Sequence, residues 1–232
     1  MIKYKFFGFP YSGGTGTYYL RWTSMLNNII KIIPIEYPGR GKRFVERLCE
    51  SMQELIDDLY DKYKSELDDT DYAVFGHSLG GLVAYEFVCR IIKNGYKPPV
   101  HMFLSGCNPP NIKDLGSMIH TMPDHEFLEA IIKSGGMTND ILANKEVLDL
   151  FIPIIRNDYK IYETYQPEHA VRLPVDFSVL VGNDDHMVTL DNARKWQDYT
   201  TKGCVTYAFK GGHFFINDNA QTVVKLINER LT

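Results

Sequence analysis

An α/β fold, with a mostly parallel central sheet flanked by helices, is what the sequence of 232 residues predicts, on three observations. Apolar runs of strand length alternate with longer segments of helical period, which implies βαβ crossovers and ligand binding at the carboxyl ends of the strands. Glycine-rich, polar turns follow several of the runs. A hydrophobic content of 44% over this length suffices for one sizeable core, so a single domain over residues 1–232 is expected.

Composition narrows the setting. The net charge of −4 argues against nucleic acid as a partner. No run approaches the roughly 18 apolar residues of a membrane span, and Met1-Ile2-Lys3 leads into a strand without a secretory leader, so neither a membrane nor export is expected. Cys49, Cys89, Cys107 and Cys204 are scattered, with no C-x-x-C spacing for metal or redox chemistry; reduced thiols in a cytoplasmic protein are expected.

The first strand runs from about Lys3 to Phe9 and ends in Pro10-Tyr11-Ser12-Gly13-Gly14-Thr15-Gly16. This loop lacks the Lys-Ser/Thr of a phosphate-cradling loop; its flexible backbone can instead aim an N–H at a nucleophile and supply half an oxyanion hole. A helix over Thr17 to Leu26, a strand over Ile29 to Ile35 and an exposed turn, Tyr37-Pro38-Gly39-Arg40-Gly41-Lys42-Arg43, follow. Ser51-Met52-Gln53-Glu54 reads as a capping box opening a helix with Met52, Leu55, Ile56, Leu59, Tyr60 and Tyr63 on one face.

The chain is organised around Asp71 to Gly81. The buried strand Tyr72 to Phe75 breaks into Gly76-His77-Ser78-Leu79-Gly80, then into a helix from Leu79 to Lys93. Glycines two residues before and after Ser78 clear the space for a sharp, strained strand-to-helix turn that lifts Oγ above the sheet, a nucleophile elbow. An ordinary glycine-containing β-to-α turn is the competing reading. Gly95 and Pro98-Pro99 then lead to a strand from Val100 to Leu104.

About seventy residues separate that strand from the next, Val175 to Val181, where a crossover needs about a dozen. Helix signals at Pro123-Asp124-His125-Glu126, ended by Gly135-Gly136, and from Asp140 through Tyr165 with a kink at Pro153, predict an inserted helical lid over about residues 110–170. Its many apolar residues also fit an extension of the core. Gly182-Asn183-Asp184-Asp185-His186 supplies an acid at the end of a late strand, and either aspartate could serve on charge alone. A metal site from Asp184, Asp185 and His186 is disfavoured, because neighbours at a strand end rarely converge. A helix from Leu190 to Tyr199 and a last strand, Val205 to Phe209, lead to Lys210-Gly211-Gly212-His213. His213 is the best-placed base, since the order Ser, acid, His with histidine on the terminal loop suits this architecture; His77 and His186 are its rivals.

Together these motifs resemble the type II thioesterases, free-standing α/β-hydrolases of nonribosomal peptide and polyketide synthases, and the surfactin synthetase thioesterase among them. Phe9-Pro10-Tyr11-Ser12-Gly13-Gly14 is similar to the family's F-P-x-A-G-G loop with Ser12 in place of alanine. Pro38 to Gly41 resembles its P-G-R-G loop, Gly76 to Gly81 its elbow, Gly182-x-x-Asp185 and Gly211-Gly212-His213 its remaining motifs. Ser134 to Met137 and Arg156-Asn157-Asp158-Tyr159 also match. The resemblance implies a triad of Ser78, Asp185 and His213, an oxyanion hole from the backbone N–H groups of Tyr11 and Leu79, and no cofactor, the phosphopantetheine arriving with the substrate. It implies transient partners in acyl or peptidyl carrier proteins, and a monomer is expected. Carrier proteins are commonly acidic, which makes Arg40, Lys42, Arg43 and Arg47 docking candidates, with ordinary solvated surface charge as the competing reading, and Met137 and Phe151 are further candidate substrate contacts. The alternatives are a medium-chain fatty acyl thioesterase, a general carboxylesterase, or a non-catalytic binding protein of the same fold.

Overall fold

The computed structural model describes residues 1–112, 118–136, 144–167 and 171–232. Six strands, β1 (Tyr4–Phe9), β2 (Ile30–Pro34), β3 (Asp71–His77), β4 (His101–Ser105), β5 (Asp176–Gly182) and β6 (Cys204–Phe209), form one sheet in the order β2-β1-β3-β4-β5-β6. Every strand pair is parallel, with Phe9 beside Gly76, His77 beside Ser105 and Gly182 beside Phe209. The chain reverses its direction of advance between β1 and β3, so the carboxyl ends of these two strands flank the crevice where such sheets bind ligands.

The described α-helices are α1 (Met52–Tyr63), α2 (Leu79–Lys93), α3 (Asp124–Lys133), α4 (Lys145–Thr164), α5 (Leu190–Arg194) and α6 (Ala220–Leu231). Alternation along the strands sends Phe7, Phe9, Val74, Met102 and Leu104 to one face, against Leu55 and Leu59 of α1, Leu82, Phe87 and Ile91 of α2, and Trp196. Phe6, Ala73, Phe75 and Phe103 point to the other face, against Tyr19, Trp22 and Val223, Ile227 and Leu231 of α6. The sheet is therefore filled on both sides, as a parallel sheet requires.

Several local expectations change. The helix expected over Thr17 to Leu26 is a short 3₁₀ segment, Gly16–Trp22. Its aromatic and β-branched residues favour the α-helix weakly, and Gly16 is pressed so closely on Ile35 that an added Cβ would lie 2.2 Å from that residue's carbonyl oxygen. At α1 the Ser51 hydroxyl accepts from the Glu54 N–H at 3.2 Å, but the Glu54 carboxylate accepts from Glu50 at 2.7 Å rather than from Ser51, one residue short of a reciprocal box. The helix expected from Leu190 to Tyr199 is α in its first turn and 3₁₀ from Lys195 to Tyr199. Between β4 and β5 the described insertion consists of a 3₁₀ turn at Ile119–Thr121, α3 and α4, the last continuing through Pro153 although that residue lacks the N–H for an i−4 bond. Met137, Leu142 and the stretch from Asp140 to Ala143 lie outside the described residues.

All four cysteines are free. Burial pushes the thiols of Cys49 and Cys89 up to about 12, so they stay protonated and unreactive near neutrality.

His101 on β4 is buried beside Ser178 of β5, its Nε2 2.9 Å from the hydroxyl. Burial lowers its pKa to about 4, with Asp176 opposing and Arg230 adding to the shift. Between about 6.5 and about 4 the unfolded chain binds a proton that the folded chain refuses, so stability falls as pH drops through this window. The loss from this residue reaches about 3 kcal/mol at pH 4. Urea unfolding of the parent and of His101→Gln at pH 7 and pH 4.5 checks this: the substitution should flatten the acid loss.

Candidate active site

Ser78 sits between β3 and α2 at φ 55° and ψ −125°, the only residue other than glycine with positive φ among those described. Such a conformation costs on the order of 1–3 kcal/mol and persists only where its surroundings impose it. They do so by close approach: a Cβ on Gly76 would lie 2.0 Å from the Gly80 carbonyl oxygen, and a Cβ on Gly80 2.2 Å from that of Phe9. The Ser78 N–H is bonded to the Ser105 carbonyl at 2.8 Å, which ties the turn to β4.

His213 follows β6 on the loop that begins at Lys210. Its Nε2 lies 3.0 Å from Ser78 Oγ, and its Nδ1 lies 2.8 Å from Asp185 Oδ2. A carboxylate only accepts, so Nδ1 carries the proton and Nε2 is left to accept from the serine hydroxyl. The other carboxylate oxygen of Asp185 accepts from the N–H groups of Met187 and Val188 at 2.8 and 3.1 Å, which fixes the carboxylate independently of the histidine. Asp185 and His213 are both buried, whereas Asp184 and His186 are exposed. Of the two aspartates, Asp185 is the one that reaches His213. Among the described residues no group of three metal-ligating side chains converges.

His77 is wholly buried behind the elbow, with Nδ1 2.9 Å from Ser105 Oγ and its ring 5.1 Å from that of His213. Burial, and secondarily the charge His213 can carry, hold its pKa well below the ordinary histidine value, so it stays neutral and serves as packing for the His213 loop.

The first N–H of α2, that of Leu79, has no partner within the helix and lies at its electropositive end. Gly80 lies against the carbonyls of Phe9 and Pro10, which sets the loop after β1 beside the start of α2. The arrangement can therefore activate a hydroxyl and hold an oxyanion. A cavity of about 70 Å³ opens at Ser78 and His213 and is lined by Ser12, Leu79, Cys107, Asn108, Met187 and Val188 from the body, with Tyr159 and Tyr162 from α4. The inserted helix thus contributes directly to the wall over the serine, while its Ile161 belongs to the main core.

The remaining sequence-named residues lie elsewhere. Arg40 is buried in a two-bond pair with Asp158 of α4 at 2.5 and 2.7 Å. Arg43 is buried against Asp58, at 2.6 and 2.7 Å, and Glu46. Neither offers the free surface charge that the docking expectation required, because their charges are spent inside the fold. Arg47 is exposed but pairs with Glu50 and Glu54, and Lys42 is exposed. Phe151 packs with Phe127, Ile131 and Ile155 in a separate apolar cluster rather than on the serine cavity, and Met137 lies outside the described residues. Cavity residues such as Asn108, Met187 and Tyr162 carry no motif, and only the fold assembles them.

A parallel sheet with a serine at the strand-to-helix turn, an acid after a late strand and a histidine on the last loop defines an α/β-hydrolase. Residues 5–231 match the Thioesterase domain family, and the chain belongs to it, a family of enzymes acting on thioesters. In sequence it is 31% identical to the linear gramicidin dehydrogenase LgrE of Brevibacillus parabrevis, over 97% of this chain and 86% of that protein. It is 30% identical to the thioesterase PikA5 of Streptomyces venezuelae, over 96% of this chain and 79% of that one. The crystal structure of ClbQ from the colibactin NRPS/PKS pathway superposes with a TM-score of 0.95 at 37% identity, covering 99% of this chain and 97% of that one.

If Asp185 orients His213, Asp185→Asn should lower kcat by about 10⁴ through the wrong tautomer, while Asp184→Asn stays within twofold of the parent. Steady-state hydrolysis of a small acyl thioester measures both.

Proposed function

We propose that this thioesterase is of the type II kind, releasing acyl groups from the phosphopantetheine arm of carrier proteins and so clearing misprimed or stalled nonribosomal peptide or polyketide synthases. The observation that carries the reading is the contact chain from Asp185 through His213 to Ser78 beneath a helical cap. The pathway named for ClbQ supports the substrate class.

In this reading the Ser78 hydroxyl passes its proton to His213 Nε2 as Oγ attacks the thioester carbonyl carbon, and the N–H groups of Tyr11 and Leu79 stabilise the oxyanion. Collapse breaks the C–S bond. The departing thiolate takes that proton from His213 Nε2, which returns the base to its neutral form; His213 then deprotonates a water that attacks the acyl-serine carbonyl and gives the proton back to Ser78 Oγ as the acid is released. No cofactor is needed. A dinucleotide-dependent reaction, as the name of the LgrE relative would imply, is disfavoured: the Gly13 and Gly16 N–H groups a pyrophosphate would seek are bonded to the carboxylates of Asp158 and Glu36, at 2.7 and 3.4 Å.

Because Arg40 and Arg43 are internal, carrier recognition falls to other surface. Among the described residues no helix is long and apolar enough to cross a membrane. A panel of acyl groups loaded on carrier protein and on coenzyme A tests the proposal. Higher kcat/KM on the carrier and its loss in Ser78→Ala are expected. Preference for coenzyme A would move the reading to a fatty acyl thioesterase, and substantial turnover by Ser78→Ala would remove the serine from its role.

A further inference from the structure

The segment from Phe9 to Gly14 is gripped by three buried side chains that the steps above do not use. The Tyr19 hydroxyl donates to the Phe9 carbonyl at 2.7 Å, and the Tyr37 hydroxyl donates to the Pro10 carbonyl at 3.0 Å. The Gly13 N–H donates to Asp158 Oδ2 at 2.7 Å, and Asp158, 1% exposed, also holds Arg40 through two bonds. The Arg40 guanidinium lies 5.2 Å from the centre of the Tyr37 ring, so the groups form one cluster.

Each bond fixes a peptide plane. The Pro10 carbonyl and the Tyr11 N–H belong to the same rigid trans peptide and point in opposite directions, so a donor held on the oxygen sets the direction of the N–H. Residues 11–14 form a turn closed by the Gly14 N–H on the Tyr11 carbonyl at 2.8 Å, with Gly13 at φ 74°. That positive φ at the third position is the mark of a type II turn, in which the central peptide faces opposite to its direction in type I. The N–H of that central peptide is the one bonded to Asp158. A flip of the turn would break this bond and leave a buried carboxylate short of a donor.

We propose that Tyr37 is a positioning residue for the reaction, aiming the Tyr11 N–H at the developing oxyanion, and that the Arg40–Asp158 pair locks the adjoining turn in the one form compatible with that aim. Asp158 stands on α4, whose neighbouring Tyr159 lines the serine cavity, so the cap and the oxyanion donor are held by one helix. The inference rests on the acyl-serine reading above, which Ser78→Ala tests separately.

Tyr37→Phe keeps the ring and removes only the hydroxyl. With a small acyl thioester, kcat should fall about tenfold while KM stays within twofold, the signature of an interaction used in the transition state. A trifluoromethyl ketone analogue, whose adduct with Ser78 places an oxyanion in the hole, should bind about tenfold more weakly. A non-hydrolysable thioether analogue, which forms no oxyanion, should bind as before. Arg40→Met/Asp158→Leu replaces the buried pair with apolar groups, a change folds commonly tolerate, and should give the same pattern. Should the double variant not fold, Tyr37→Phe decides alone. Unchanged kcat and ketone binding, or equal weakening of both analogues, or a lower Tm with normal kcat, would overturn the proposal. A silent Ser78→Ala beside a normal Tyr37→Phe removes the positioning role alone; an active Ser78→Ala removes the acyl-serine reading beneath it.

Discussion

The site depends on a steric constraint: three stretches of backbone meet around Ser78 at distances that admit no side chain. Gly76 faces the Gly80 carbonyl, and Gly80 faces those of Phe9 and Pro10, so β3, the start of α2 and the loop after β1 are pressed together. This contact holds the serine in an otherwise unfavourable conformation and sets the loop after β1 beside the first turn of α2. A hydroxyl is a weak nucleophile, and a site in which donors and base are already in place avoids reorganisation during the reaction.

The groups that complete the site come from far along the chain, and each is anchored twice. Asp185 is held by two backbone N–H groups before it reaches His213, and His213 rests against a neutral His77. The sheet order explains how they meet: β1 and β3 bring the loop and the serine, β5 and β6 bring Asp185 and His213, all at carboxyl ends on one rim.

What was legible in the sequence was what short-range chemistry enforces. The glycine pattern around Ser78 and the apolar run before it announced the fold, the residues named in the order Ser78, Asp185 and His213 meet in space, and helix α2 falls where its periodicity placed it. The misreading of the basic loop has one cause: local pattern does not report burial. Arg40 and Arg43 look like surface charges in a polar loop, yet their partners Asp158 and Asp58 stand 118 and 15 residues away. Helix α6 closes the second face of the sheet and received no assignment, because it starts without a side-chain cap at Asn219 and without an acidic residue in its first turn. Tyr37 could not be singled out, for its hydroxyl matters only once Pro10 is seen beside it.

Helix α4 has two unlike halves. From Lys145 to Pro153 it is exposed or half-exposed, and from Ile154 onward it sends Ile154, Ile155, Asp158 and Ile161 inward. Change along the outer turns is limited chiefly by the packing of Phe151 and Ile152 against Phe127, whereas the inner turns are tied through Asp158 to the loop after β1 and cannot shift apart from it.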